Sequence, residues 1–224
     1  MSELVLLDEA VGETRVCRFD EQGQPLELGI ERCSEQMSRL VTGSAHLGRV
    51  IRVENSINAA FVELPVGDPG FLPFGKKGRP ASVHEGAKIP VLVTREALPG
   101  KGPNLVLTSP QQVTAPAPTL LERMNLPKTA KTLPVDRAGR ERIDEAIEQA
   151  LARQVAIPGG GDICIEQTRA LVAIDVDTGN SPVTGGKFNH KAAQVIFRHL
   201  RLRSAGGIVV IDFAPMKSKI ERSA

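Results

Sequence analysis

Apolar and polar residues alternate along the first half of the chain with the two-residue period of β-strands. Near the N-terminus this pattern predicts strands over residues 3–8, 13–19 and 26–30, with a turn at residues 21–24. Further along, Gly, Pro, Asn and Asp interrupt the apolar runs at short intervals. The strands predicted there span residues 46–53, 58–64, 69–72, 87–94 and 104–108. Five short strands in about sixty residues favour a small β-barrel of the OB type.

The second half of the chain changes to a mixed helix and strand pattern. Residues 110–118 contain three prolines and predict a linker, because proline interrupts both helices and central strands. Apolar residues at three- and four-residue spacings predict a helix over residues 138–153. The remaining elements are a strand pair over 162–167 and 170–175, a helix over 189–203 and a last strand over 206–213.

Two of the apolar runs in this half end in aspartate. Asp175 and Asp177 close the run that begins at Leu171, and Asp212 closes the run that begins at Gly206. Residues two apart on a strand share a face, so neighbouring strands would bring all three carboxylates towards one divalent cation. Mg²⁺ takes oxygen ligands and needs only one or two carboxylates. The alternative is that these aspartates cap the turns after their strands, and spacing alone leaves both interpretations open.

The composition is that of a globular protein, with 24% charged and 41% hydrophobic residues. A net charge of +2 does not by itself favour a nucleic-acid partner, and local clusters of Lys and Arg most often form a solvated face. No apolar run approaches ~20 residues, so no membrane span is predicted. Cys17, Cys33 and Cys164 are odd in number and widely spaced, which indicates reduced thiols in a cytoplasmic protein.

Phenylalanine supplies all the aromatic side chains, since Trp and Tyr are absent and Phe occurs seven times. Phe61 and Phe71 fall on separate strands of the predicted barrel, and OB-type barrels bind single strands by stacking bases on such rings. Lys101 lies between two glycines that let the backbone approach a phosphate. Ordinary packing in the barrel core is the alternative for both phenylalanines.

Longer motifs resemble the ribonuclease E/G family. The run IDVDTG from Ile174 and the run RHLRLRSAGGIVVIDF from Arg198 are similar to the family's catalytic core. The runs GRVIRV from Gly48, AAFVE from Ala59 and GFLP from Gly70 resemble its inserted RNA-binding domain of the ribosomal S1 type. The resemblance implies an α+β fold, in which a small OB-type barrel is inserted into a mixed α/β core. That core would have a ribonuclease-H-like start and a truncated deoxyribonuclease-I-like catalytic part.

The resemblance also implies a domain organisation. We expect an N-terminal β subdomain over residues 1–44, an OB-fold RNA-binding domain over 45–109, a linker over 110–137 and a truncated catalytic α/β core over 138–224. Family members continue past the point where this sequence ends, and many carry a zinc link between protomers. We therefore expect a short member of the family, in which any homo-oligomer forms without a zinc link.

The site residues implied by the resemblance begin with the aspartates. Asp175 and Asp212 match the pair that holds Mg²⁺, and Asp177 stands where the family usually has an asparagine that helps to orient the site. His190 and His199 match no catalytic position, and we expect them to be solvated or locally hydrogen-bonded.

A second group of residues is implied to contact RNA. Phe61, Phe71 and Lys101 match residues of the inserted domain near the scissile phosphate, while Arg201 and Arg203 lie on a helix that is similarly basic in the family. We therefore expect a magnesium-dependent endoribonuclease that hydrolyses single-stranded RNA in the cytoplasm, with no membrane partner. The alternative is a catalytically inactive RNA-binding protein or a truncated remnant of such an enzyme.

Overall fold

The computed structural model describes residues 3–36, 39–76, 78–98, 100–124, 126–127 and 129–216. The strands are β1 (Leu4–Ala10), β2 (Glu13–Phe19), β3 (Pro25–Arg32), β4 (Ala45–Glu54), β5 (Ala59–Glu63), β6 (Gly70–Pro73), β7 (Lys88–Arg95), β8 (Asn104–Leu107), β9 (Lys131–Pro134), β10 (Gln154–Ala156), β11 (Asp162–Gln167), β12 (Val172–Asp177) and β13 (Val209–Asp212). The helices are α1 (Cys33–Gln36), α2 (Pro110–Val113), α3 (Leu120–Arg123), α4 (Arg137–Leu151) and α5 (Gly185–Leu202), with one 3₁₀ turn at Asn55–Ile57.

The chain forms two compact units, and its helices and strands together make a mixed α+β fold. The first unit combines Met1–Glu9, Arg15–Gly29 and Lys128–Ala224, and the second combines Ala10–Thr14 and Ile30–Pro127. In chain order, the second unit therefore interrupts the first.

The second unit contains a closed five-stranded barrel with the strand order β4-β5-β6-β8-β7. Its interior is filled by alternate residues of every strand, because successive side chains of a strand point to opposite faces. The buried set includes Val50, Val62, Leu72, Val91 and Leu105. The barrel predicted from the punctuated strand pattern is thus confirmed, and its architecture is consistent with an OB-type fold.

One sheet of the first unit has the strand order β3-β2-β1-β9. Helix α4 packs on it through Ile143 and Ala146, which share a core with Leu6, Cys17 and Phe19. The predicted strands and the predicted helix of this region are confirmed, and β9 is an addition that pairs parallel with β1.

The other sheet of the first unit has the order β10-β11-β12-β13, in which β13 runs parallel to β12. Helix α5 connects these two strands and packs on one face of the sheet. Phe188, Ala192 and Ile196 of the helix contact a core that includes Ile163 and Ile174. Residues that alternate with this core lie on the opposite face, and these include the aspartates.

The segment predicted as a linker, residues 110–137, contains regular structure. Pro110 begins the single turn of α2, a position where its missing N–H costs nothing. Thr119 and Glu122 form a capping box around the start of α3. The expectation that residues 110–118 form no helix was therefore wrong, because α2 makes a single helical turn there.

The described cysteines are free thiols: Cys17 is buried, Cys33 is exposed and Cys164 is half-buried. Within the described ranges, no helix has the length and apolar character needed to cross a membrane.

Candidate carboxylate site and barrel groove

The sheet of the first unit brings Asp175 and Asp212 side by side. They are Cα partners in the parallel pairing of β12 with β13, a separation of about 4.8 Å between strands. Both are exposed, because their neighbours Ile174 and Ile211 face the core under α5. The prediction that the two acid-bearing strands are neighbours is confirmed.

Asp177 lies on the same face as Asp175, where it closes the turn that follows β12. Its Oδ1 accepts a hydrogen bond of 2.8 Å from the backbone N–H of Gly179, which is the geometry of an Asx turn. The capping role that the sequence left open is thus present at this position. The predicted role of Asp177 in the catalytic site stays a prediction.

The carboxylates on this face of the sheet could bind Mg²⁺ as the pair Asp175 and Asp212, not as a larger cluster of ligands. Over the ranges that the structure describes, no group of three or more His, Cys, Asp and Glu side chains is placed to hold one metal ion. Mg²⁺ keeps several waters and is commonly bound by one or two carboxylates together with substrate phosphates. Asp175 and Asp212 are therefore the residues that could hold it.

Asn189 of α5 anchors the chain just beyond Asp212. Its side chain is buried, and its Nδ2 donates a hydrogen bond of 2.8 Å to the carbonyl of Ala214. Its Oδ1 is also buried and has no hydrogen-bond partner among the described residues. The sequence pattern assigns no role to Asn189, because it does not reveal a side chain that donates to a backbone carbonyl 25 residues away.

Gly161, in the glycine run that precedes β11, lies where a side chain would not fit. Its φ is +80°, and an added Cβ would lie 2.5 Å from the carbonyl oxygen of Asp177 and 2.7 Å from Cζ of Phe188. The turn thus packs against the end of β12, where only a residue without a side chain fits.

One row of side chains runs around the outside of the barrel, with one residue from each strand. Successive members are Cα partners in neighbouring strands, in the order Arg52, Phe61, Phe71, Asn104 and Arg95. We call this set the barrel row. At about 4.8 Å per strand step it extends about 19 Å around the surface.

Two β-bulges place the arginines in the barrel row. The pairing of β4 with β5 shifts between Val50 and Arg52, and the pairing of β7 with β8 shifts between Val93 and Arg95. Val50 and Val93 are buried, so strict alternation would also turn the residues two positions later inwards. The bulge turns each arginine outwards instead.

The side chains of the barrel row touch one another. The guanidinium carbon of Arg52 is 4.8 Å from the ring centroid of Phe61. The rings of Phe61 and Phe71 meet edge to face, with centroids 6.0 Å apart. At the other end, Arg95 Nη2 donates a hydrogen bond of 3.1 Å to Asn104 Oδ1.

An open groove of about 840 Å³ lies over four members of this row. Its lining includes Phe61, Phe71, Arg95 and Asn104 of the row together with Lys101 and Asp68. The two phenylalanines are half-buried and stay outside the buried core of the barrel. The structure thus brings together the three residues predicted there. It adds Arg52, Arg95 and Asn104, which the sequence analysis did not assign to the site.

The basic residues at the end of α5 lie on the helix side of the sheet, away from the carboxylates. Arg201 is exposed, whereas Arg203 at the helix end donates a hydrogen bond to the carbonyl of Ala152. Burial lowers the pKa of Arg203. Because α5 covers the face opposite to Asp175 and Asp212, the structure does not bring these arginines together with the aspartates.

The two histidines of α5 have different surroundings. His190 is exposed and contacts Gln194 at 3.3 Å, as expected for a locally hydrogen-bonded histidine. His199 is buried, and within the part of the chain that the structure describes its Nδ1 has no hydrogen-bond partner. Burial, together with the positive charges of Arg203 and Arg198, lowers the pKa of His199 to about 4.

An OB-type barrel with aromatic and cationic side chains over an open groove has the features of a single-strand nucleic-acid binder. Paired carboxylates at the ends of parallel strands are suited to metal-assisted chemistry on phosphates. Residues 76–224 match the profile of the Ribonuclease E/G family. This match covers more than half of the chain, and the protein belongs to that family.

Curated relatives agree over a shorter range. The chain is 43% identical to Ribonuclease E of Escherichia coli (strain K12) over 81 residues, which is 34% of this chain and 8% of the relative. It is 43% identical to Ribonuclease E of Synechocystis sp. over 83 residues, 34% of this chain and 12% of the relative. It is 38% identical to Ribonuclease G of Escherichia coli (strain K12) over 86 residues, 36% of this chain and 18% of the relative. Each match thus spans less than a fifth of the relative's length.

Proposed function

We propose that this protein is a cytoplasmic endoribonuclease that hydrolyses single-stranded RNA during RNA processing or decay. The observation that carries the proposal is the side-by-side register of Asp175 and Asp212 in a chain of the Ribonuclease E/G family. The relatives are named Ribonuclease E and Ribonuclease G, which supports RNA as the substrate. A ribonuclease-H-like and a deoxyribonuclease-I-like part of the first unit belong to the same proposal.

In the proposed reaction, Asp175 and Asp212 would hold Mg²⁺ and would thereby fix where a phosphodiester can bind. The chemistry that Mg²⁺ would supply there is to offset negative charge on the phosphate and to lower the pKa of a bound water. Asp177 keeps the turn after β12 in place through its bond to Gly179. A carboxylate accepts that bond as an amide oxygen would, but offers no N–H donor to a phosphate oxygen.

The barrel groove supplies the second part of the proposed function, which is to hold the RNA strand. Phe61 and Phe71 each present a ring on which a base can stack, worth about 1–3 kcal/mol per base. Arg52, Arg95 and Lys101 provide positive charge beside the rings for the phosphates.

Cleavage of a 5′-labelled, A/U-rich single-stranded RNA with and without Mg²⁺ tests the catalytic proposal. Asp175→Asn and Asp212→Asn should each lower the rate by about 100-fold or more, because each removes a metal-binding carboxylate. Glu145→Gln, an exposed acid of α4, is the matched control and should cleave as the parent does. Cleavage by the parent that is independent of Mg²⁺ would contradict the metal assignment.

A second candidate function is RNA binding without cleavage. It is favoured by one observation: the barrel row runs unbroken across the five strands of the closed barrel, and RNA binding needs this row but not the carboxylate pair. If the parent and both aspartate variants bind RNA equally and none cuts it, this reading replaces the first. If neither binding nor a cooperative thermal transition is seen, the chain is an inactive remnant.

A further inference from the structure

The solvent-exposed face of α5 is positively charged from its first turn to its last. Exposed side chains recur along this face at three- and four-residue spacings, at Lys187, Lys191, Gln194, Phe197 and Arg201. The helix contains no Asp or Glu, so none of its own side chains balances these cations. Phe197 is 64% exposed. A surface complementary to α5 would be acidic and would offer an apolar contact for this ring.

The exposed face of α4 has these properties. Glu141, Glu145 and Glu148 follow one another there at four- and three-residue spacings. Glu141 pairs with Arg137 of its own helix at 3.1 Å, but Glu145 and Glu148 make no ion pair within the described ranges. Leu151, at the end of the helix, is 78% exposed. The exposed faces of α4 and α5 are therefore opposite in charge, and each carries one large exposed apolar side chain.

Both helices contact the same turn of the first unit. The guanidinium carbon of Arg142 in α4 lies 4.3 Å from the ring centroid of Phe19. Arg198 of α5 pairs at 3.5 Å with the next residue, Asp20. The two helices are thus held within one compact unit, so each copy of the chain presents both charged faces on a fixed framework.

We propose that two copies of this chain associate through these helices, with α5 of each copy packed on α4 of the other. Since every copy carries both faces, a two-fold axis closes the pair and forms both contacts at once. RNA is the competing ligand for α5, but RNA would account for neither Leu151 nor the acids of α4. The carboxylate pair and the barrel row lie outside these faces. The inference is therefore independent of the proposed function and assigns the helix faces no part in cleavage.

Sedimentation velocity of the full chain in about 0.05 M and about 0.5 M NaCl tests the proposal, because the higher salt screens exposed charges. The parent should dimerise, with a dissociation constant that rises by about tenfold at the higher salt. Reversal of α5 by Lys187→Glu with Lys191→Glu should raise the dissociation constant at low salt by at least about tenfold, since acids would then face acids. Reversal of α4 by Glu145→Lys with Glu148→Lys should do the same.

An equimolar mixture of the two reversed proteins is the sharpest sample. Each protein alone carries two faces of one sign, whereas the mixture again offers opposite charges at both contacts. The mixture should therefore form a heterodimer with a dissociation constant within about threefold of the parental value. Phe197→Ser leaves the charges unchanged and should weaken the parental dimer by about tenfold. Lys131→Glu with Arg169→Glu changes two exposed cations outside both helices and should dimerise as the parent does.

Three results would overturn the inference. The first is a parent that stays monomeric at about 100 µM, a concentration at which a weak salt-dependent dimer is populated. The second is a dimer that neither reversal weakens, and the third is a mixture of folded reversed proteins that stays monomeric. If the parent is monomeric and the α5 reversal lowers RNA affinity, α5 belongs to RNA binding instead. Thermal unfolding of each variant shows whether it is folded, and none of these results bears on cleavage by Asp175 and Asp212.

Discussion

His199 is a buried histidine that the fold keeps neutral. Burial is the larger cause, and the positive charges of Arg203 and Arg198 add to it, so the pKa of His199 is lowered to about 4. As the pH falls from 7, the unfolded chain takes up a proton near pH 6.5 while the folded chain does not. The free energy of unfolding should therefore drop by about 2 kcal/mol between pH 7 and pH 5, measured by urea denaturation at each pH.

Replacing the ring isolates this contribution. His199→Leu should remove most of the drop in stability between pH 7 and pH 5, because the buried titrating group is gone. His190→Leu, on the exposed face of the same helix, should keep the parental drop. An unchanged pH dependence in His199→Leu would mean that another group is responsible.

Asp8 is a buried carboxylate whose charge is matched by two arginines. It is 1% exposed and accepts hydrogen bonds from Arg15 and, at 3.0 Å, from Arg140. Burial raises its pKa, but the bonds and charges of Arg15 and Arg140 outweigh burial and leave the pKa lowered. Its contribution to stability is present above about pH 4 and is lost as the pH falls further.

Removing the charge at Asp8 should be costly at neutral pH. We expect Asp8→Asn to reduce the free energy of unfolding by about 2–3 kcal/mol, since it removes the buried negative charge that pairs with Arg15 and Arg140. Asp144→Asn, which removes the exposed partner of the same Arg15, should cost less than about 1 kcal/mol. Equal losses in the two variants would contradict the role of burial.

At the scale of the elements, hydrophobic periodicity predicts the strands that bury one or both faces. It does not reveal a strand, or the orientation of a side chain, that depends on pairing with a neighbouring strand. The alternation of apolar residues locates the barrel strands, because burial of one face sets that period, and continuous apolar runs locate the acid-bearing strands β12 and β13. Strand β9 escapes the pattern because all four of its residues are exposed and only its pairing with β1 makes it a strand. Arg52 and Arg95 escape as site residues because each follows a bulge, which breaks the alternation.

The hydrogen bond from Asn189 of α5 to the carbonyl of Ala214, just after β13, can be tested as a link between these two elements. Asn189→Ala leaves the carbonyl of Ala214 buried and unpaired, but also removes the unpartnered Asn189 Oδ1. The expected loss of unfolding free energy is therefore about 1 kcal/mol, at the lower end for a buried hydrogen bond. In the proposed function, the loosened chain after Asp212 should also reduce Mg²⁺-dependent cleavage.

A matched change on the same helix completes this test. Gln194→Ala removes an exposed polar side chain that contacts His190 on the neighbouring turn, and should alter neither stability nor cleavage. A variant at Asn189 with parental stability and parental cleavage would show that the bond to Ala214 does not position the strand end.

At the scale of the whole molecule, charge is nearly balanced and the candidate site residues are divided between two units. The 28 Lys and Arg residues against 26 Asp and Glu residues give little general attraction for RNA. Affinity must then come from local features, and the barrel row concentrates two arginines, two rings and an amide on one surface. The carboxylate pair belongs to the other unit, so it shares no side chain with the groove.

This division predicts that binding and cleavage can be removed separately. The Phe61→Ala, Phe71→Ala pair should weaken RNA binding by the same factor in the parent and in Asp212→Asn, because the carboxylates would engage RNA only through Mg²⁺, which is left out of the binding measurement. Asp212→Asn alone should leave RNA affinity in the absence of Mg²⁺ unchanged while it abolishes cleavage. Anisotropy titrations of all four proteins without Mg²⁺, followed by cleavage assays with Mg²⁺, measure both effects. A coupling between the two sets larger than about 0.5 kcal/mol would show that groove and carboxylates act on RNA as one site.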